Sequence, residues 1–342
     1  MLKAECTLYF CEVSFENDFF SVLKQPQFNF EEMALHLFRR QAQKVEVYQH
    51  FLYLLKINAE EIVALEQIPF MPVSFFKTHK IIALGADDSF CFTSSTTTGG
   101  IPSKHYVPDL GWYEWSFKNG FNYFYNHYRD YCVLGLLPNY LEREGSSLVY
   151  MVKQFIDESK YPESNFYLHD FKALSKQLHE NEKKKIPSLL LGVTYALLDF
   201  AQQFPMPLKN TIVMETGGMK GKRRELLRSE VHEILKQSFS LTTIHSEYGM
   251  TELLSQAYST GNGIFECPPW MRVLAADLND ARTILPKEKA GSLNLIDLAN
   301  INSCAFLATD DLGVVHSDNS FEVIGRKDHS DIRGCGLMYS AI

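Results

Sequence analysis

The most chemically biased stretch of the chain is a run of hydroxyl residues and glycines ending in a cation: Thr93-Ser94-Ser95-Thr96-Thr97-Thr98-Gly99-Gly100-Ile101-Pro102-Ser103-Lys104. Backbone N–H groups, hydroxyl donors and a Lys can converge on one anion, so the run reads as a phosphate cradle. It is not a Walker loop, because Gly99 to Lys104 lacks the second Gly before Lys. Gly217-Gly218-Met219-Lys220-Gly221-Lys222-Arg223 is not one either, with Arg where Ser or Thr must reach a metal. The plain alternative is a low-complexity surface turn. A second constellation, His245-Ser246-Glu247-Tyr248-Gly249-Met250-Thr251-Glu252, follows the extended stretch Leu241 to Ile244. A strand end there delivers an aromatic to stack a base, a Gly for close backbone approach, a hydroxyl, and a carboxylate for a hard cation. The same residues also fit a strand-to-helix turn capped by Thr251. A third, Thr309-Asp310-Asp311-Leu312-Gly313 followed by Gly325-Arg326-Lys327-Asp328, sets a carboxylate and an Arg in neighbouring turns, where they can grip the two hydroxyls of a ribose. Hairpin turns with a surface ion pair would read alike.

These groups need a scaffold. Asn29 followed by Glu32 reads as a capping box, and Met33 to Leu55 carries the spacing of amphipathic helices, so the first section (1–66) is mainly helical. Ile68 to Val73 contains two prolines and breaks helix, and short extended segments are expected at Lys80 to Leu84 and Ser89 to Thr93. Apolar runs of strand length then alternate with helical patterns: Tyr131–Leu137 before Ser146–Phe155, Ser188–Leu191 before Val193–Phe204, and Thr211–Met214 before Lys222–Phe239. Such alternation indicates βα units around a largely parallel sheet. From Trp270 the signals are short and strand-like, with turns expected at Asn279-Asp280, Gly291-Ser292, Asp311-Leu312-Gly313 and Asp318-Asn319. No flexible linker divides the chain.

Composition narrows the function classes. The chain has 342 residues, 46% of them hydrophobic, enough for a large core, and a net charge of 33 − 41 = −8, which argues against general affinity for nucleic acid or anionic membrane. The seven cysteines include no C-x-x-C pair, so neither a disulfide framework nor a common zinc site is indicated. No window approaches the roughly 18 apolar residues of a membrane span, and no signal peptide is apparent. A cytoplasmic protein without integral membrane association is expected.

Taken in this order, the three constellations resemble the core motifs of the adenylate-forming superfamily, which includes acyl-CoA ligases, adenylation domains and firefly-type luciferases. The resemblance implies ATP and Mg²⁺. By it Ser94, Ser95, Thr96, Thr97, Thr98 and Gly99 hold phosphates, with Lys104 neutralising them, and Tyr248 and Gly249 meet adenine beside the Gly217-Gly218 segment. Thr251 and Glu252 serve catalysis, Glu252 holding the metal; Asp311 and Arg326 bind ribose, and Asp328 marks a hinge. His245 is a candidate for the substrate carboxylate, a satisfied structural His being the alternative. The phosphate loop departs from Thr-Ser-Gly-Thr-Thr-Gly-x-Pro-Lys by one inserted residue and by Ser or Thr at the first Gly.

From about Ile68 onward the chain is most similar to the acyl-protein synthetase (LuxE) family, whose members activate a long-chain fatty acid as acyl-AMP and move it onto a cysteine of their own near the C-terminus. The matching position is Cys335, in Ile332-Arg333-Gly334-Cys335-Gly336. A thiolate attacks a mixed anhydride well at neutral pH; Arg333 and Arg326 would favour the thiolate, and flanking glycines would admit a bulky donor. A buried, inert Cys is the alternative, and Cys267, before Pro268-Pro269, is the next candidate. The implied architecture is α/β: an adenylate-forming catalytic body over 1–330 with a helical beginning and a β-rich end, lacking the usual C-terminal lid domain, and a short tail (331–342) carrying Cys335. The expected function is fatty-acid activation and self-acylation, with delivery to a partner reductase or acyltransferase. An acyl-CoA or acyl-carrier ligase with an external thiol, and a non-catalytic nucleotide-binding scaffold, are the alternatives.

Overall fold

The computed structural model describes residues 15–95, 100–138, 145–217 and 226–327. The helical beginning comprises α1 (15–23), α2 (Phe30–Lys44) and α3 (Glu46–Leu54). Asn29 caps α2, its side chain accepting from the Glu32 N–H at 3.3 Å. The amphipathic stretch from Met33 to Leu55 divides at Val45, a buried β-branched residue in extended conformation that bridges to Ala83. Among the described residues that bridge is the only ladder contact of the Lys80–Leu84 segment expected to be extended. β1 (Met71–Pro72) and the short α4 (Phe75–Thr78) follow, then a hairpin of β2 (Cys91–Thr93) and β3 (Lys104–Tyr106).

Next come α5 (Leu110–Phe124), β4 (Cys132–Leu136), α6 (Ser147–Glu158), β5 (Asn165–Phe166), α7 (Phe171–Lys184), β6 (Ser188–Val193), α8 (Thr194–Gln203), β7 (Thr211–Thr216), α9 (Arg228–Phe239), β8 (His245–Tyr248), β9 (Ala257–Ser259) and β10 (Ile264–Phe265). The sheet order is β5-β4-β6-β7-β8-β9, parallel except for β9. β4 and β6 are buried at every residue, the pattern of strands covered on both faces. Successive side chains of β8 mark those faces: Ser246 meets His232 of α9, whereas His245 meets Tyr125 at the end of α5. The helix expected from Lys222 begins at Arg228, residues 218–225 lying outside the described ones. The strand expected over Leu241–Ile244 falls instead on the motif itself, His245–Tyr248.

The β-rich end is a second sheet of β11 (Met271–Ala276), β12 (Ala290–Asp297), β13 (Phe306–Val315) and β14 (Phe321–Arg326), ordered β10-β14-β13-β12-β11, with β1 parallel to β13. Two of the four expected turns are not turns: Gly291-Ser292 lies in β12, and Asp311-Leu312-Gly313 lies within β13. The glycine that suggested a turn at 313 marks a register shift instead. A Cβ there would stand 2.1 Å from the Glu322 carbonyl oxygen, so only Gly fits where β14 closes onto β13. Asn279-Asp280 and Asp318-Asn319 do lie outside the strands. Among the described residues no helix is long and apolar enough to cross a membrane.

Candidate active site

The C-terminal ends of β7 and β8 lie side by side, Glu215 opposite Ser246 and Thr216 opposite Glu247, so Gly217 and Tyr248 leave the sheet together at its carboxyl edge. That edge is where open α/β sheets bind ligands. Two buried carboxylates stand just inside it on opposite faces. Glu215 accepts from Thr194 Oγ1 at 2.9 Å, is 3.2 Å from Arg228 Nε, and has His232 Nε2 at 3.6 Å. Burial acts to raise its pKa, but His232 and Arg228 outweigh it and hold the group below the usual glutamate value. Among the described residues no cation is set against Glu247. Burial, helped by the charge of Glu215 and opposed by the Thr216 hydroxyl that donates to it, pushes its carboxyl up to about 7. Glu247 also explains Gly249, where a Cβ would meet Glu247 Oε1 at 2.4 Å.

Tyr248 is 9% exposed, with its ring edge-on to Phe265 and Phe321 at 5.9 and 5.4 Å between centroids. Its hydroxyl donates to Asp311 Oδ2 at 2.8 Å. Asp311 pairs across the ladder with Arg326, whose Nε is 3.5 Å from Asp311 Oδ1. Burial raises the Asp311 carboxyl and the Arg326 charge opposes it. Arg228 lies over the Phe265 ring at 4.9 Å and donates to the Val323 carbonyl at 3.4 Å, joining the β7 edge to β14. An aromatic floor, a carboxylate and two guanidinium groups thus meet between the two sheets.

The Ser/Thr/Gly run is the loop of the β2–β3 hairpin, closed at its neck where Ser94 N donates to Ser103 O at 3.0 Å and Ser103 N donates to Ser94 Oγ at 2.8 Å. Ser103 and His105 share the inner face of β3. The Ser103 hydroxyl lies near enough to the Glu252 carboxyl to favour its charged form, and His105 Nδ1 is 2.8 Å from the Thr251 carbonyl oxygen. Burial raises the Glu252 pKa, opposed by the Ser103 hydroxyl and by the charges of Lys77, on α4, and Arg326. Lys104 leaves β3 on the other, outer face with Tyr106, is exposed, and is not brought against Glu252. Among the described residues no group of three or more His, Cys, Asp or Glu could hold a metal. Glu252 offers a single carboxylate, which suits a hard cation that keeps waters and takes its other oxygens from nucleotide phosphates.

The profile of the acyl-protein synthetase family LuxE matches residues 146–342, more than half of the chain. The chain belongs to the LuxE family. Two LuxE-like relatives, both called long-chain-fatty-acid--luciferin-component ligase, are similar over most of their length. That of Vibrio harveyi is 24% identical over 321 residues, 86% of this chain and 82% of the relative; that of Aliivibrio fischeri is 22% identical over 311 residues, 83% and 81%. Solved structures support the fold. An open conformation of 2-hydroxyisobutyryl-CoA ligase with 2-HIB-AMP and CoA superposes with TM-score 0.61 at 10% identity, covering 87% of this chain and 70% of that one. ATP-bound MatB from Rhodopseudomonas palustris gives 0.54 at 14% identity, over 72% of this chain and 49% of that one, so this LuxE chain spans about half of MatB. The LuxE fold is therefore the α/β body of adenylate-forming ligases, with the helical beginning and β-rich end read from the sequence, and the chain is a ligase by family.

Of the residues singled out in the sequence, the structure brings together Tyr248, Asp311 and Arg326, and, at the neck of the hairpin loop, Glu252, Thr251 and Ser103 with Ser94. Gly217 stands at the β7 edge, its carbonyl accepting from Thr194 at 2.8 Å, and Ser95 lies just beyond the neck. His245 begins β8, at the opposite end from Tyr248, half-buried with Nδ1 3.1 Å from the Tyr125 hydroxyl; it is not brought to the carboxyl edge. Thr96, Thr97, Thr98, Gly99, Gly218, Asp328 and Cys335 lie outside the described residues. The sequence reading missed Lys77, His105, Glu215, Arg228, Asp297 and Asn300. For Glu215, Asp297 and Asn300 a signal existed: each is a polar residue interrupting an apolar strand-length run (Ile-Val-Met-Glu, Leu-Ile-Asp-Leu-Ala-Asn).

Proposed function

We propose that this protein uses ATP to activate a carboxylic acid, of the long-chain fatty-acid class, as acyl-AMP and then transfers the acyl group to the thiol of Cys335. The observation that carries the first step is that Tyr248, Asp311 and Arg326 meet between the two sheets while the Arg326 charge also acts on Glu252 beside the neck of the hairpin. In this reading adenine lies against Tyr248, the ribose hydroxyls meet Asp311, and the triphosphate follows the hairpin loop toward Glu252, which would hold Mg²⁺ with the phosphates. The metal would supply charge neutralisation of the phosphates, and the charges of Lys77 and Arg326 also act on Glu252. A substrate carboxylate oxygen attacks the α-phosphorus, the bond from that phosphorus to its bridging oxygen breaks, and pyrophosphate leaves. In the second step a thiolate attacks the acyl carbon and AMP leaves.

The acceptor assignment to Cys335 draws support from the other cysteines. Burial raises the pKa of each described thiol: Cys91, Cys132, Cys267, where the charge of Asp297 adds to it, and Cys304, pushed up to about 12. A thiol held protonated is a poor nucleophile, so Cys267, although only partly buried, falls behind Cys335 as a candidate. The acyl group would pass from Cys335 to a partner reductase or acyltransferase.

The test is intact-mass analysis after incubation with ATP, Mg²⁺ and fatty acids of graded length, followed by hydroxylamine. A hydroxylamine-labile acyl adduct, absent in Cys335→Ala, is the expected result. AMP release without any adduct, with full-rate delivery to an added thiol, points instead to an external acceptor. No AMP or pyrophosphate release with any acid overturns the whole reading.

A further inference from the structure

The turn that carries Thr251 and Glu252 is gripped from behind by groups that none of the motifs includes. Asn300 Nδ2 donates to the Glu252 carbonyl at 3.1 Å and to the Cys304 carbonyl at 3.0 Å, which fixes its amide orientation. His105 Nδ1 lies 2.8 Å from the Thr251 carbonyl oxygen. The other ring nitrogen, Nε2, lies 3.3 Å from Asn300 Oδ1, so His105 and Asn300 also touch each other and both nitrogens face acceptors; the Thr251 carbonyl is the nearer, and the single proton of the neutral ring is assigned to Nδ1. The Asp297 carboxylate accepts from the Leu254 and Ser255 N–H groups at 2.8 and 3.0 Å and from Ala299 N at 3.2 Å, closing the far end of the same turn. All three side chains are 0–1% exposed.

The bracket is itself anchored. Gln41 of α2, fully buried, donates through Nε2 to the Asn300 and Ile301 carbonyls at 2.8 and 3.0 Å and accepts from Ala305 N at 2.9 Å. Phe76 of α4 packs edge-on against the His105 ring at 5.5 Å. The consecutive carbonyls of Thr251 and Glu252 are therefore tied to the second sheet, to the β2–β3 hairpin and, through Gln41, to the helical beginning. Ser103, two residues before His105, lies near the Glu252 carboxyl and favours its charged form.

We propose that Asn300 and His105 are positioning residues for adenylation: by holding the carbonyls of Glu252 and Thr251 they set where the Glu252 carboxylate and the Thr251 hydroxyl face the neck of the phosphate loop. The proposal rests on the adenylation reading above. Misplacing a reacting or metal-binding group by about 1 Å costs on the order of 100-fold in rate, and loss of an outer partner of a metal ligand costs about 10- to 100-fold in metal affinity or activity. A Glu252 turn released from the bracket has that freedom. The Thr251 and Glu252 side chains are untouched by either change, which distinguishes positioning from direct participation.

Three variants test it on the full chain. His105→Leu removes the donor to Thr251, and His105→Gln replaces it with an amide donor; Asn300→Ser frees the Glu252 carbonyl while leaving the backbone bonds to Gln41 in place. Each is titrated calorimetrically with Mg²⁺ and α,β-methylene-ATP, and separately assayed for pyrophosphate release against Mg²⁺ concentration, with the circular-dichroism spectrum checked for folding. The expected result is an Mg²⁺ requirement raised about tenfold in His105→Leu and in Asn300→Ser, with His105→Gln recovering most of it. Folded His105→Leu and Asn300→Ser proteins that bind and respond to Mg²⁺ as the wild type does overturn the proposal, as does equal impairment of His105→Leu and His105→Gln. If one variant fails to fold, the other decides. A wild-type protein that releases no pyrophosphate with any acid refutes the adenylation reading rather than the bracket alone.

Discussion

The Tyr248 hydroxyl donates to Asp311 Oδ2 at 2.8 Å, and through that bond the last residue of β8 in the parallel sheet is fastened to the middle of β13 in the second sheet. The residues at the two ends of the bond are those expected to meet adenine and ribose. In the proposed reading, nucleotide binding and the seam between the sheets share this hydrogen bond. Tyr248→Phe keeps the ring and removes the link, leaving the largely buried Asp311 with Arg326 alone. The expected outcome is a loss of about 1–3 kcal/mol in urea unfolding, together with a several-fold higher KM for ATP and a smaller change in kcat. An unchanged KM would separate Asp311 from the nucleotide.

Glu247 has a predictable pH signature. Its folded pKa, pushed up to about 7, lies above the ordinary glutamate value, so the folded state holds a proton that the unfolded chain has released. Its contribution to stability is fully present below the unfolded pKa and is lost as pH rises through about 7. Glu247→Gln should flatten the fall in stability between about pH 4.5 and 7. Relative to the wild type, the variant should be more stable at pH 8 than at pH 5. Denaturant titrations at pH 5 and pH 8 check the sign; equal slopes with pH for both proteins contradict it.

Gly249 and Glu247 should behave as a coupled pair. Gly249→Ala sets a methyl against Glu247 Oε1, while the Thr216 hydroxyl holds the carboxyl through its other oxygen, Oε2. We expect Gly249→Ala to cost about 1–3 kcal/mol and to lower the adenylation rate. The double variant Gly249→Ala with Glu247→Ser should regain much of the stability, giving a coupling energy of at least about 0.5 kcal/mol. Additive losses would mean that the clash is relieved elsewhere.

The two lysines near the phosphate loop are expected to differ. Lys77 lies on the side of Glu252 and its charge acts on that carboxyl, whereas Lys104 leaves β3 on the outer face. Lys77→Ala should raise the KM for ATP about fivefold, a solvent-screened effect of roughly 1 kcal/mol, and Lys104→Ala should raise it less. Steady-state pyrophosphate release at fixed Mg²⁺ distinguishes them, and the reverse ranking would restore Lys104 to the phosphate site.

Much of this was legible from residues adjacent in sequence. Leu189-Leu190-Leu191 and Val133-Leu134 read as buried strands because a parallel strand covered on both faces is apolar at every position. Asn29 announced the start of α2 because a cap is a local hydrogen bond. Asp311-Leu312-Gly313 was misread for the same reason in reverse: Asp and Gly favour local turns, but here the Gly is needed where β13 and β14 backbones approach, a contact made with Glu322.

The order of the three motifs, the amphipathic beginning and the β-rich end follow from local pattern, because helix and strand periods and turn chemistry are written within a few residues. Which side of a strand faces the site is not local. Lys104 and His105 are neighbours in sequence, yet hairpin pairing turns one outward and presses the other, uncharged at neutral pH with burial pushing its pKa down to about 4, against Thr251. His245 and Tyr248 share one short strand, but only the second stands at the edge where the loops converge. The grip of Asn300 on Glu252, across 48 residues of chain, exists only once the second sheet has folded against the first.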